Sequence, residues 1–120
     1  MEEIIQKYLQ KGEFKKALNL LEIYKDKESN NVALNYYFGK VYFQLNDHKK
    51  SLFYFRKCNQ INPGNPKILY NLAQVLQGQG KIDEAKKIYE KLIKKNSTDI
   101  KSYYGLFNLG IKNINYDYET

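Results

Sequence analysis

Three stretches of this chain align on one another at a fixed spacing of 34 residues. Small residues recur in one column at this spacing: Ala17, Ser51 and Ala85. Large residues recur in a second column: Leu21, Phe55 and Tyr89. A repeat of this length is typical of arrays of helix pairs, in which each pair buries its apolar face against its neighbours. Such arrays build binding surfaces more often than active sites. The spacing therefore predicts an all-α fold and favours a role in binding.

The apolar stripes divide the chain into units at 1–31, 32–65 and 66–99, then a final helix at about 100–112 and an irregular tail at 113–120. Within each unit, apolar residues recur at helical spacing on both sides of a short turn. Turns of about three residues force neighbouring helices to be antiparallel. We therefore expect a single domain over residues 1–120, with about seven helices that pair as antiparallel hairpins and stack in sequence order.

The chain carries a formal net charge of +7, from 20 basic and 13 acidic residues. Arg56 is its single arginine, whereas proteins that read nucleic acid use the planar fork of arginine on phosphates and guanine edges. The excess charge attracts acidic partners, and we interpret the lysine pairs of the second helices mainly as a solvated face. The composition favours a protein or peptide ligand with acidic residues over nucleic acid.

Residue types that carry catalysis are sparse. His48 is the only histidine and Cys58 the only cysteine, which excludes an internal disulfide and a cysteine-rich zinc site and fits a reducing, cytoplasmic location. The glycines at 78 and 80 belong to a turn between two helices and do not follow a strand, so they form no phosphate loop. No apolar run approaches the roughly 18 residues of a membrane span. We therefore expect no enzyme activity, no catalytic or metal-binding residues, no cofactor and no membrane partner.

The aligned columns resemble the tetratricopeptide repeat. That family's first helix has a large residue, then Leu-Gly, then Tyr, and its second helix has Ala, an aromatic residue and Ala before a closing Pro. The second unit follows this order with residues 35–42 and then Ser51, Phe55, Cys58 and Pro63. The third unit follows it with residues 69–73 and then Leu76, Gly80, Ala85, Tyr89 and Leu92. The departures are Asn35 where Trp is commonest, Ser97 where Pro is expected and Phe107 where a small residue is expected. The resemblance implies a right-handed superhelical stack of helix hairpins, an α-α solenoid.

The resemblance also implies a concave face, lined by the second, fifth, sixth and ninth residues of each unit. The partner-binding residues predicted on this basis are Tyr36, Tyr37, Lys40, Lys67, Tyr70, Asn71, Gln74, Lys101, Tyr104 and Asn108. We expect the tyrosines to be exposed, because they lie outside the core columns, and to offer contact area to a ligand. One class of the family clamps the C-terminal carboxylates of chaperone peptides with Lys, Asn and Arg, and this chain does not reproduce that set. The resemblance therefore implies a non-enzymatic scaffold that holds a segment of another protein.

Two other functions stay open. The chain is either the N-terminal repeat portion of a larger protein such as a transferase, or a protein that binds nucleic acid electrostatically. The final helix carries an apolar stripe of Tyr103, Leu106 and Phe107, which we expect to point inward. At the end of the array we expect Phe107, Ile111 and Ile114 to stay partly open. Because an open apolar stripe attracts a second copy, we predict weak self-association through residues 100–114.

Overall fold

The computed structural model describes residues 2–27 and 29–111, apart from the side chain of Ile111, and this part of the chain contains seven helices and no strand. The helices are α1 (Glu2–Gln10), α2 (Phe14–Tyr24), α3 (Val32–Gln44), α4 (His48–Ile61), α5 (Pro66–Gly78), α6 (Ile82–Lys95) and α7 (Ile100–Ile111). The chain divides into two compact units, Met1–Ile68 and Leu69–Thr120. The single domain and the three repeat boundaries stay predictions, and the tail at 113–120 lies outside the described residues.

Asparagine and aspartate side chains begin several helices. The Asn31 side chain accepts a hydrogen bond from the backbone N–H of Leu34 at 3.0 Å, and Asp47 accepts one from Lys50 at 3.1 Å. These side chains satisfy backbone donors that the first turn of a helix leaves without partners. The turn after α5 ends at Gly80, whose φ of 79° lies in the left-handed region that glycine adopts without strain. The caps at Asn31 and Asp47 begin α3 and α4, which pack against each other.

The core of the first unit forms around α3, which packs against α2 and α4. Phe38 and Val41 of α3 are buried with Leu21 of α2. Gly39 explains the close approach of α3 and α4, because a Cβ at this position would lie 2.8 Å from the ring of Phe55. Beside it, the hydroxyl of Ser51 donates to the Gly39 carbonyl at 2.7 Å. The small-residue columns of the sequence therefore mark the places where helix backbones meet.

Asn35 occupies the position where the repeat most often has tryptophan, and it is buried. Its side-chain Nδ2 donates to the carbonyl oxygens of Ser29 at 2.9 Å and Asn31 at 2.8 Å. A buried amide donor without an acceptor is costly, so these two hydrogen bonds satisfy the Asn35 side chain and tie it to the turn that leads into α3. The departure from the family pattern thus has a local structural role.

In the second unit α7 packs against α6 through Gly105. A Cβ on Gly105 would overlap the buried ring of Tyr89. The prediction that Tyr103 and Phe107 point inward is wrong, since they are 48% and 58% exposed, although the partly open Phe107 is confirmed. In α3 the side of the helix that holds Gly39 packs on α4, the helix that follows it. Among the described residues no helix follows α7, so the corresponding side of α7 has no such helix to cover it. The α7 residues that are buried instead are Ser102, Gly105, Leu109 and Gly110.

Candidate functional site

Tyr36 in the first unit is surrounded by aromatic rings and lysines. Its ring makes edge contacts with Phe55 at a centroid distance of 5.8 Å and with Tyr37 at 5.7 Å. The ammonium groups of Lys40 and Lys67 lie 5.6 Å and 5.3 Å from the centre of the Tyr36 ring. A cation at this distance is attracted by the negative face of the ring. Two positive charges are thereby held beside one half-buried tyrosine.

Tyr70 repeats this arrangement in the second unit. Its ring makes an edge contact with Tyr89 at 6.0 Å, and the Lys101 ammonium lies 5.8 Å from the ring centre. Gln74 donates from Nε2 to the Tyr70 hydroxyl at 3.2 Å. Burial, with a smaller contribution from the Asp99 carboxylate, raises the pKa of Tyr70, so its phenol stays neutral.

Each member of the first set lies 34 residues before its counterpart in the second set. We call each set a lysine–tyrosine element. The first element is Tyr36, Phe55 and Lys67, and the second is Tyr70, Tyr89 and Lys101. The spacing of the lysines and tyrosines is visible in the sequence, whereas the contact between them is seen only in the folded chain.

Tyr37 corrects the expectation that the tyrosines of this face are all exposed. Its side chain is only 7% exposed, and its hydroxyl accepts a hydrogen bond from Nε2 of Gln6 at 2.9 Å. The same hydroxyl lies 3.4 Å from Oε1 of Glu2, to which it donates. The expectation is wrong because α1 brings two polar side chains to the hydroxyl, so the ring can be buried without losing hydrogen bonds. Gln6 and Glu2 lie one helical turn apart on α1, which is the signal in the sequence that could have indicated this contact.

A cleft of about 200 Å³ opens in the first unit beside Tyr36 and Tyr37. The starts of α1, α3 and α5 surround it, and apolar side chains such as Ala33 and Ile68 line it together with the two tyrosines. Lys67 and Glu2, one residue of each charge, also line the cleft. An apolar pocket with a few polar groups at its edge is the usual form of a site that takes one ligand side chain.

The remaining predicted residues have different surroundings. Lys101, Tyr104 and Asn108 are exposed on α7, where 66% of the Tyr104 surface is accessible. Asn71 and Gln74 are half-buried on α5. Contacts within each unit thus bring together Tyr36, Tyr37, Lys40 and Lys67 in the first, and Tyr70, Gln74 and Lys101 in the second. Tyr104 and Asn108 belong to neither lysine–tyrosine element.

The described part of the chain gives little support to metal binding, to catalysis by a thiol or to a membrane-spanning helix. Within residues 2–27 and 29–111, no three His, Cys, Asp or Glu side chains are grouped so as to hold a metal ion. Burial raises the pKa of the Cys58 thiol to about 12, so the sulfur is protonated and a poor nucleophile. Among the same residues, no helix combines the length and apolar character needed to cross a bilayer.

A sequence profile of the tetratricopeptide repeat matches residues 42–106. The chain belongs to the tetratricopeptide repeat family. A repeat-containing protein of Methanocaldococcus jannaschii is 38% identical to it over 56 residues. That alignment covers 47% of this chain but only 10% of the archaeal protein, so the chain spans a small part of its relative. The family that the sequence columns predict is therefore confirmed.

Solved tetratricopeptide structures share the fold. The first repeat domain of Spaghetti (RPAP3), bound to the HSP90 peptide SRMEEVD, superposes with a TM-score of 0.83 at 19% identity, covering 93% of this chain and 89% of that chain. The Yersinia enterocolitica type III secretion chaperone SycD, in complex with a peptide of the translocator YopD, gives a TM-score of 0.78 at 10% identity, covering 92% and 90%. At such identities these likenesses show the fold alone, and they confirm the all-α, tetratricopeptide-like solenoid of about seven helices.

Proposed function

We propose that this tetratricopeptide repeat protein is a non-enzymatic, cytoplasmic scaffold that holds a segment of a partner protein on the face formed by its first helices. The observation that carries the proposal is the lysine–tyrosine element, which occurs once in each compact unit with the same spacing. Packing alone does not require lysines over tyrosines at these positions. Their repetition supports a surface selected for contact with a ligand.

The chemistry of the element favours an acidic segment. Tyr36 and Tyr70 offer rigid aromatic area with a polar tip, a combination common at the centres of protein interfaces. Lys40, Lys67 and Lys101 supply positive charge next to that area. Carboxylates of a ligand would approach the ammonium groups while its carbon chain covers the rings.

The other predicted residues supply hydrogen bonds and a pocket. The amides of Asn71, Gln74 and Asn108 would bond the backbone of the ligand, and Tyr104 would add aromatic area. The cleft beside Tyr37 would take one apolar side chain. Ligand binding would thus combine charge attraction with burial of a single anchor residue.

The peptide complexes of similar folds support a peptide as the ligand. RPAP3 binds an HSP90 peptide and SycD binds a YopD peptide. Because this chain does not reproduce the full side-chain set of the carboxylate clamp, we propose an internal acidic segment of the partner, not a chaperone tail.

Charge reversal tests this proposal. We expect Lys67→Glu with Lys101→Glu to weaken binding of a fluorescein-labelled peptide of twelve residues, rich in glutamate with one central leucine, about tenfold or more. Tyr70→Ala should have an effect of similar size. The matched control is Lys91→Glu with Lys94→Glu, two exposed α6 positions that change the net charge equally. Anisotropy titrations give the affinities and thermal melting reports folding. Equal affinity of all folded variants would contradict the proposal.

We also propose weak self-association through α7. Ile100, Tyr103 and Phe107 form an exposed apolar stripe on this helix, whereas the side chain of Ile111 and all of Ile114 lie outside the described residues. Burial of such a stripe against a second copy is favourable. Sedimentation up to millimolar protein should show a mean mass that rises above the 14.3 kDa monomer, and Phe107→Ser should suppress the rise. A monomer at every concentration would refute this contact.

A further inference from the structure

The outward face of α4 carries an exposed aromatic ring among positive charges. Phe53 is 61% exposed. Lys49 and Lys50 precede it by one helical turn, and Arg56 and Lys57 follow it by one turn, which places all five on one side of the helix. The helix contains no Asp or Glu from His48 to Ile61. We call these five residues the basic–aromatic face.

The exposed ring adjoins an aromatic cluster of the core. Phe53 makes an edge contact with Tyr54 at a centroid distance of 5.2 Å. Tyr54 in turn stacks on Phe38 at 4.7 Å and on Tyr42 at 5.7 Å, inside the core of the first unit. The Lys50 ammonium lies 5.2 Å from the centre of the Tyr42 ring.

The fold does not need these residue types at this face. Thirty-four residues later, α6 has Asp83, Glu84, Lys87, Glu90 and Lys91 at the equivalent positions. Thirty-four residues earlier, α2 has Asn19 in place of Phe53 and Glu22 in place of Arg56. The α6 face mixes acidic and basic residues, and the α2 face keeps Lys15 and Lys16 but has the exposed Ile23 in place of Lys57. Of these three helices, α4 alone combines uniform positive charge with an exposed ring, so the repeat fold does not dictate the combination.

We propose that the basic–aromatic face is a second protein-binding surface, separate from the lysine–tyrosine elements, which takes an acidic segment with an apolar side chain. The apolar side chain lies on Phe53, and carboxylates lie beside Lys49 and Arg56. This arrangement has the anatomy of an interface hot spot, in which a central aromatic anchor is surrounded by charges that select the partner.

A protein segment fits this surface better than a nucleic acid or a membrane. A single-stranded nucleic acid stacks its bases on several aromatic platforms in a row, and this face offers one ring. A membrane-bound helix inserts a broad apolar stripe, whereas Phe53 is flanked by charges on both sides. Complementary charge around one anchor therefore favours an acidic protein partner.

The test uses the full chain with Lys67→Glu and Lys101→Glu as the background, so that the lysine–tyrosine elements do not bind the probe. The probe is a fluorescein-labelled peptide of twelve residues, glutamate with three leucines at helical spacing. We expect Phe53→Asn, which installs the α2 residue, to weaken binding about fivefold or more. Lys49→Glu with Arg56→Glu should weaken it about tenfold or more, and the matched α6 pair Lys87→Glu with Lys91→Glu should stay within about twofold.

Three outcomes would overturn the proposal. The first is equal peptide affinity in all folded variants. The second and third are binding to a twelve-nucleotide oligothymidine, or to phosphatidylserine vesicles, that exceeds peptide binding and is lost with Phe53→Asn. Such results would assign the face to nucleic acid or to a lipid surface. If Phe53→Asn lowers the melting temperature, Phe53→Gln provides the same loss of the ring in a better helix former.

Discussion

The two lysine–tyrosine elements share a ring beneath the tyrosine but differ in how that ring is packed. In the first unit it is Phe55, approached by Gly39 of α3. In the second unit it is Tyr89, approached by Gly105 of α7, and its hydroxyl donates to Oε1 of Gln77 at 3.3 Å. The residue equivalent to Gln77 in the earlier repeat is Phe43. The later repeat thus has both the Tyr89 hydroxyl and its acceptor Gln77, whereas the earlier repeat has neither group.

The charge around the two tyrosines differs as well. Tyr36 has the ammonium groups of both Lys40 and Lys67 over its ring. At the position of Lys40 the second unit has Gln74, which gives Tyr70 a neutral hydrogen bond instead. The repeat therefore preserves ring packing and varies the polar groups, which are the groups that we propose a ligand would contact. We expect the first element to contribute more of the attraction to acidic ligands.

The largest expected effect tests whether the rings of Phe55 and Tyr89 contribute equally to the free energy of unfolding. Phe55→Ala and Tyr89→Ala each remove a ring that is almost fully buried, so each should lower the free energy of unfolding by about 3–5 kcal/mol. Urea denaturation followed by circular dichroism measures both losses. Phe53→Ala on the exposed side of α4 is the control and should change stability by less than about 0.5 kcal/mol. A loss below about 1 kcal/mol at either ring would break the equivalence.

An intermediate effect tests the pairing of hydroxyl and acceptor. Phe55→Tyr adds a buried hydroxyl where the repeat has Phe43 in place of Gln77, and should cost about 1–3 kcal/mol. Tyr89→Phe removes one hydrogen bond and should cost about 1 kcal/mol. Adding Phe43→Gln to the Phe55→Tyr variant should recover part of the loss, which a double-mutant cycle measures. No coupling between the two substitutions would show that the difference between the repeats has another origin.

The smallest expected effect concerns the lysines. Lys67→Met and Lys101→Met should each change the free energy of unfolding by at most about 1 kcal/mol, because a cation over an accessible ring contributes little in water. Denaturation at low and at high salt measures this change. A larger loss would mean that these lysines serve the fold and would weaken the argument that they serve a ligand.

The sequence predicted the features that depend on local periodicity. Helix positions, the Gly39 column and the family follow from residues that recur every 34 positions. It failed where burial depends on what packs against a helix. Tyr37 is buried because α1 brings Gln6 to its hydroxyl, and Tyr103 is exposed because no described helix follows α7. Contacts between lysines and rings also stayed hidden, since residue spacing does not show which side chains meet across helices.

The single cysteine allows the opening of the α3–α4 hairpin to be measured by thiol labelling. Cys58 is fully buried on α4, and its Sγ donates to the carbonyl of Val32 at 3.5 Å, where α3 begins. With its pKa raised to about 12, the thiol reacts with Ellman's reagent only when this region opens. The labelling rate therefore counts opening events of α3 and α4 without any engineered probe. Between about pH 9 and pH 12 the thiol ionises in the unfolded chain but not in the native one, so rising pH favours opening and speeds labelling over this range.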